Sequence, residues 1–163
     1  MLKELGDYKN RLRSIFVNND NICKLLLGQD YEDADYNLDD ELDKYVIPHL
    51  YVPDTIATQN SYIMYETYCK GTSGHTKTIQ IVIQSICHKE ISTYKEKPKG
   101  YSGLRYDVLA EFIEELLCPD DREEQKKIMK KFGIGSLELK SVDIFLTNDF
   151  IGRTLALTVS DFR

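Results

Sequence analysis

The sequence predicts a single α+β domain in which helices pack against one antiparallel sheet. Apolar and polar side chains alternate through residues 76–88, which is typical of a strand with one buried face. An apolar stripe at helical spacing runs through residues 104–117. Two further alternating runs lie at 137–147 and 153–162. Hairpin strands with helices before and between them favour an α+β fold with about five strands.

Two helical regions are predicted. Residues 3–27 carry apolar side chains every three or four positions. The polar triplet Asn18-Asn19-Asp20 interrupts this pattern and is expected to cap a second short helix at about 21–27. The helix before the last hairpin is predicted over 104–117, and Pro119 follows its end. The highly charged residues 120–131 are predicted to be a linker or a short exposed helix.

The strands are expected to form one sheet. Residues 60–69 and 76–88 flank a Gly-Thr-Ser-Gly turn, whose glycines provide the positive φ angles of a hairpin. Residues 44–52 also have strand composition, but Pro48 lacks an amide donor, so this strand is expected at an edge or interrupted there. The second hairpin joins its strands through residues 148–152.

Length and composition fit one domain over residues 1–163. The chain is 42% hydrophobic and 29% charged, with a net charge of -6, which argues against a nucleic-acid-binding surface. The four cysteines show no metal-ligand spacing. The charged N-terminus is unlike a signal peptide, and no run has the length of a membrane span. The expected compartment is the reducing cytoplasm of the synthesising cell.

The acidic segment 30–43 contains no basic residue and is predicted to be a solvated or partner-facing loop. Its Asp33-x-Asp35-x-Asn37 pattern matches the first ligands of a calcium-binding EF-hand loop. The sixth position, which needs glycine, is Leu38, and the twelfth, which needs glutamate, is Lys44. These departures argue against a dedicated calcium site and leave weak cation binding open.

Other short matches to catalytic motifs are explained by chance. Pro53-Asp54 with Glu138 and Lys140 echoes a PD…ExK nuclease site, but the central hairpin and a long helix separate its parts. Cys87 and His88 are neighbours in a strand, so their side chains point to opposite faces and cannot form a dyad.

Phosphate binding is not indicated either. Gly133-Ile134-Gly135 precedes a strand, whereas a phosphate-binding glycine loop opens a helix. We therefore expect no catalytic residue, no metal and no cofactor, and we predict that the protein is not an enzyme.

The polar side of the central strand is the more informative surface. Thr78, Gln80 and Gln84 lie on one side of residues 76–88 and isoleucines lie on the other. An uncharged polar face is suited to being covered by another subunit. Tyr62 and Tyr65 belong to a cluster of tyrosines in the strand regions, where tyrosine is favoured in any case, and subunit contacts are the alternative reading.

Two segments carry a resemblance to a known family. One is VIPHLYVPDTIATQNSYIMYET at 46–67 with the strand at 79–91; the other is GYSGLRYDVLAEFIEELL at 100–117 with the hairpin at 133–162. Their order resembles that of the neck proteins of long-tailed bacteriophages, and most of all the tail terminators. Two motifs, R-x-D (Arg105, Asp107) and N-x-F-x-G-R (Asn148 to Arg153), resemble motifs of neck and tail-completion proteins.

The resemblance implies a structural virion protein without enzymatic activity. It would form a ring, expected to be a homohexamer, that caps the tail tube, ends tube growth and joins the tail to the head-closure or connector protein. DNA would only pass through the lumen, and no membrane would be involved. The location would be the virion neck, after assembly in the host cytoplasm.

Two alternatives stay open: a head-closure or tail-completion protein of the same neck, and a small α+β enzyme or regulatory protein. For the ring, the expected contact regions are the turn at 70–75, the loop at 148–152, and the side chains Thr78, Gln80, Gln84, Tyr62, Tyr65, Phe150 and Arg153.

Overall fold

The computed structural model describes residues 2–27, 42–50, 59–73, 76–94, 98–132 and 137–162. It has the predicted α+β class, with four helices and five strands in these residues. The helices are α1 (Leu2–Val17), α2 (Asp20–Leu27), α3 (Arg105–Leu117) and α4 (Arg122–Phe132). The strands are β1 (Val46–Ile47), β2 (Ser61–Ser73), β3 (Thr76–His88), β4 (Glu138–Leu146) and β5 (Phe150–Phe162).

Two helices begin where the sequence provides a capping side chain. The Asn19 side chain accepts the Ile22 amide at 3.0 Å, which confirms the predicted cap of α2. At the start of α3, Asp107 Oδ2 accepts the Leu104 amide at 3.3 Å. The charged residues after Pro119 form α4, which buries Ile128 and Phe132, so the predicted short helix is correct but not fully exposed.

The sheet has the strand order β1-β2-β3-β5-β4. The pairs β2–β3, β3–β5 and β4–β5 are antiparallel. The prediction of an entirely antiparallel sheet was wrong in one place, because β1 pairs with β2 in parallel, with Val46 opposite Ile63. The 13-residue connection 48–60 gives the chain the length that a parallel crossover needs. As predicted, β1 is an edge strand and ends before Pro48.

The main core lies between the helices and one face of the sheet. Residues of α1, α2 and α3 pack there against alternate residues of β2, β3 and β5, including Ile81 and Leu157, which are fully buried. Two hydrogen bonds tie the layers together: Thr67 Oγ1 donates to the Leu5 carbonyl at 3.1 Å, and Ser85 Oγ donates to the Tyr106 carbonyl at 3.2 Å. We call this side of the sheet the helix face.

Two predicted connections are shorter than expected. β2 continues to Ser73 through a bulge at Lys70, so only Gly74 and His75 of the predicted turn lie outside the described residues. β5 begins at Phe150, so the loop predicted at 148–152 is a turn at 147–149. There the Thr147 amide donates to the Phe150 carbonyl at 2.9 Å.

The acidic segment lies almost entirely outside the described residues, together with its EF-hand-like pattern. Its described end differs from the expectation of a solvated loop, because Leu42 is buried in the main core. In the described part of the chain, no helix is both long enough and apolar enough to cross a membrane.

Candidate assembly surface

The side of the sheet that faces away from the helices has an uncharged polar centre. The predicted alternation of β3 is confirmed: Ile79, Ile81 and Ile83 are buried, whereas Thr78, Gln80 and Gln84 are half-buried on the opposite side. We call this side the open face. The central part of this face in β3 and β5 is formed by the described side chains Thr76, Thr78, Gln80, Val82, Gln84, Thr154, Ala156 and Thr158.

Hydrogen bonding between the side chains of the open face is sparse. Gln84 Nε2 donates to Thr154 Oγ1 on the neighbouring strand at 3.4 Å. The charged side chains on this side of the sheet belong to the outer strands, for example Glu66 of β2 and Asp143 of β4. The central band of the open face is thus made of short hydroxyl, amide and aliphatic groups, which another protein surface can cover without desolvating a full charge.

Tyr62 and Phe150 lie at one end of the open face, but they are buried within the subunit. They belong to a second apolar cluster with Ile47, Met64 and Ile86. The two aromatic rings meet edge to face, with centroids 5.9 Å apart. Because each is only 3% exposed, neither side chain is available on the surface of the free subunit.

Tyr65 lies on the helix face, not on the open face. It is fully buried, its ring packs edge-on against Phe16 with centroids 5.8 Å apart, and its hydroxyl donates to the Lys9 carbonyl at 3.2 Å. Sequence reasoning grouped the tyrosines by strand without separating the faces. Counting odd and even positions along β2 would have placed Tyr62 and Tyr65 on opposite sides of the sheet.

Arg153 also lies on the helix face, where it joins the two motifs that carried the family resemblance. Its Nε donates to Asp107 Oδ1 at 2.7 Å, and its guanidinium lies 5.7 Å from the centre of the Tyr106 ring. The hydrogen bond to Asp107 raises the pKa of Arg153. The R-x-D and G-R motifs therefore meet in space, and they fasten the start of α3 to β5.

Arg105, the other arginine of these motifs, is a buried structural residue. It is 3% exposed, its Nε donates to the Ile91 carbonyl at 2.8 Å, and its guanidinium lies 4.1 Å from the centre of the Tyr94 ring. The hydrogen bond and the ring contact compensate part of the cost of burying the charge.

The edges of the sheet carry a feature that sequence reasoning missed. The large apolar side chains that are exposed in the described residues are Tyr68 on β2 and Val142, Ile144 and Leu146 on β4. The alternation of Val142, Ile144 and Leu146 correctly indicated a strand with an apolar side. It could not indicate that this strand would be an edge, where the helices do not reach it.

The family model YomW matches residues 19–159. The chain belongs to the YomW family. YomW is a prophage-type protein name, and it hints at a phage origin. No curated protein matches the chain.

The YomW-family chain has a cleft between its helices. It has a volume of about 320 Å³ and is lined by Arg11, Ser14, Ile15, Asn18, Asn19, Leu116 and Lys131. These residues include no carboxylate, thiol or imidazole that could act as a base or nucleophile. In the described ranges, no three His, Cys, Asp or Glu side chains come together in a way that could hold a metal ion.

The described residues of the weak sequence matches lie in strands or at a strand end. Burial raises the pKa of Cys87 to about 12, and its thiol lies on the helix face while His88 lies on the open face. His88 Nδ1 accepts the Glu90 amide at 3.3 Å, which caps a short 3-10 turn. Glu138 and Lys140 form an ion pair on β4, and Pro53-Asp54 lies outside the described residues.

Proposed function

We propose that this YomW-family protein is a structural protein of a phage neck: a tail terminator that assembles as a ring on the end of the tail tube. The observation that carries the proposal is the open face, whose uncharged polar centre is bounded by two strand edges with exposed apolar side chains. Such a surface is suited to contact with other protein subunits, and the prophage-type family name is consistent with a phage role.

A ring needs a contact in which one surface of each subunit meets a different surface of its neighbour. The sheet offers such different surfaces, because its β2 and β4 edges differ in sequence and lie on opposite sides. The ring, expected to be a homohexamer, would stop tube growth and present its other side to the head-closure or connector protein. DNA would pass through a lumen, and the net charge of -6 would disfavour adhesion to phosphates.

A head-closure or tail-completion protein of the same neck is the second candidate, since the same open face and edges would serve a neighbouring ring. A small enzyme or regulatory protein is the competing class. It would need converging polar groups in a pocket, and the described cleft is lined by Arg11, Lys131, small polar residues and aliphatic residues.

Charge placed on the open face tests the proposal. Gln80→Lys and Gln84→Glu should leave the subunit folded, because both side chains are half-exposed. They should fail to cap the tail tube and give tails of uncontrolled length, because contact between the open face and the tube would then bury an unpaired charge. The matched controls are Gln125→Lys and Gln125→Glu on the exposed side of α4, which should assemble as the wild type does.

The measurements are light scattering for mass, electron microscopy for rings, and tail length in assembled particles. Normal assembly of both open-face variants would argue against the open face as a contact. If the wild type also never forms a ring, alone or with tube subunits, the terminator role is wrong, and a head-closure or non-virion role moves ahead.

A further inference from the structure

We propose that the ring closes by strand addition: β4 of one copy pairs with the free half of β2 in the next copy. One continuous antiparallel sheet would then pass through the ring. This inference rests on the proposed ring function and specifies the contact that builds it. The partner is a second copy of this chain, because the two edges match each other in sequence, strand direction and backbone groups.

The two edges have unpaired lengths that fit each other. β4 forms one edge and pairs only with β5 in the described part of the chain. At the other edge, β1 covers β2 only at Ile63 and Met64, so Thr67 to Cys69 and Gly71 to Ser73, on either side of the bulge at Lys70, pair with β3 alone among the described strands. An uncovered edge of this kind is a template for another strand.

The exposed apolar side chains lie on these same two edges. Ile144 is 61% exposed and Leu146 is 62% exposed on β4, and Tyr68 is 43% exposed on β2. An edge that has to stay free in solution is normally protected by charges or by proline. Val142 to Leu146 carries a single charge, Asp143, so this part of β4 is poorly protected unless another chain covers it.

Strand direction favours the same arrangement. From β2 to β3, β5 and β4, each strand is antiparallel to the one before it, so β4 runs opposite to β2. A copy related by rotation about an axis along the strands keeps the direction of its own β2. Its β2 is therefore antiparallel to β4 of the first copy, and the helix faces of both copies stay on the same side.

The backbone groups on the two edges are also in phase. The Ile63 amide donates outward to the Tyr45 carbonyl at 2.8 Å, and the Thr67 amide turns outward to Glu66 Oε1 at 2.9 Å. Because the direction of the backbone groups repeats every two residues, the amide and carbonyl of Cys69 also point outward, away from β3. After β4, the Thr147 amide donates inward to the Phe150 carbonyl of β5. Because the direction alternates along the strand, the amides and carbonyls of Ile144 and Leu146 point outward, away from β5.

One register pairs these groups and matches the side chains. In this register, Cys69 lies opposite Ile144 and Thr67 lies opposite Leu146. The outward-pointing backbone groups of each pair can then form hydrogen bonds, and the side chains of all four residues lie on the helix face. By residue count, the same register places Lys70, the bulge residue of β2, opposite Asp143, which has the opposite charge, and Tyr68 opposite Phe145, which is also aromatic. A shift by two residues in either direction loses both matches. Pairing of β4 with a second β4 would leave Tyr68 uncovered.

The natural Cys69 allows a direct test of this register. In the proposed pair, the Cα atoms of Cys69 and residue 144 of the neighbouring copy would be about 5.5 Å apart, which is within disulfide range. Ile144→Cys should therefore give a ladder of dimers, trimers and larger species on a non-reducing gel after mild oxidation. Because Ile144 is exposed, the subunit should stay folded, which circular dichroism checks.

Two matched variants serve as controls. Adding Cys69→Ser to Ile144→Cys should abolish the ladder. Ser141→Cys lies on the open face of β4, away from the register partner of Cys69, and should give no ladder. Light scattering and electron microscopy of the same unoxidised samples report whether rings are present.

The outcomes separate the strand pairing from the ring function. Rings together with the Cys69-dependent ladder support both. Rings without the ladder, or a ladder that persists in Cys69→Ser, overturn the pairing and leave the ring function standing. A ladder with open fibres in place of rings supports the pairing and contradicts the terminator role. Disulfide dimers alone indicate symmetric β4 contacts and overturn the pairing, and a monomer without any ladder overturns both.

Discussion

Among the described glycines, Gly152 is the one where an added Cβ would meet the closest neighbouring atoms. A Cβ there would fall against the Ser85 carbonyl oxygen, 2.7 Å from Ile86 Cγ2 and 2.8 Å from Ile86 Cα. Real Cβ atoms essentially never approach other atoms this closely, and two of the three obstacles belong to the backbone of β3. Gly152→Ala therefore requires the central β3–β5 ladder to separate locally.

The expected loss of stability follows from this geometry. Overpacking a filled site costs about 1–3 kcal/mol, and we expect the upper end because backbone must move. A Gly→Ala change also lowers the conformational entropy of the unfolded chain, which offsets about 0.4–1 kcal/mol of the lost stability. The net loss is therefore about 2.5 kcal/mol, which lowers the melting temperature of a domain of this size by about 5–10 °C.

The assay is urea denaturation and thermal melting beside a matched control. Gly71→Ala is also a glycine in a strand, but a Cβ there meets nothing within 4 Å. That variant should be as stable as the wild type or more stable by about 0.5–1 kcal/mol. If the two alanine variants unfold within about 0.5 kcal/mol of each other, the argument from close approach is refuted.

Three further predictions concern the helix–sheet layer. Phe112→Asp should unfold the protein or make it insoluble, because it buries an unpaired charge where the phenyl ring now stacks on the Tyr101 ring. The measurement is the yield of soluble protein. The control Glu111→Asp, on the exposed side of α3, should give a normal yield. Asp107→Ala should lower the free energy of unfolding by about 1–2 kcal/mol, because it removes the α3 cap and an ion pair; denaturation with no loss would contradict this. Burial raises the pKa of Cys87 to about 12 from an ordinary value of 9.0. Between pH 9 and 12 this thiol therefore ionises more readily in the unfolded chain, and the free energy of unfolding falls as the pH rises. Urea denaturation should show a smaller decline of stability between pH 9 and 11 in Cys87→Ala than in the wild type, and equal declines would refute the assignment.

The pattern of alternation in the sequence was sufficient for the class and for most elements. β3 and α3 were predictable because each has one apolar side at the period of its own structure, as with Ile81 and Phe112. The parallel pairing of β1 was not predictable, since two residues before Pro48 carry no signal of direction. The turn at 147–149 was predicted too long because Phe150 and Gly152 look like loop residues until β3 is seen beside them.

The candidate surface was only partly predictable for a related reason. Period two separates the faces of a strand, so it found Thr78, Gln80 and Gln84. It cannot tell whether a face or an edge is covered, and that depends on residues distant in sequence. Arg153 was assigned to the interface from a motif, whereas its partner Asp107 is 46 positions away in the chain and lies on the helix face.

The central position of β3 has a consequence for folding kinetics. Both hairpins are local in sequence, but β3 and β5 pair over thirteen residues only after α3 and α4 have been brought past them. Contacts of such long sequence separation slow folding, since the chain loses loop entropy before the contacts form. During that interval the two hairpins are separate, and the apolar residues of β4 and β5 are exposed together. Newly made chains should therefore be most prone to aggregation before the hairpins dock, and refolding yield should fall as protein concentration rises.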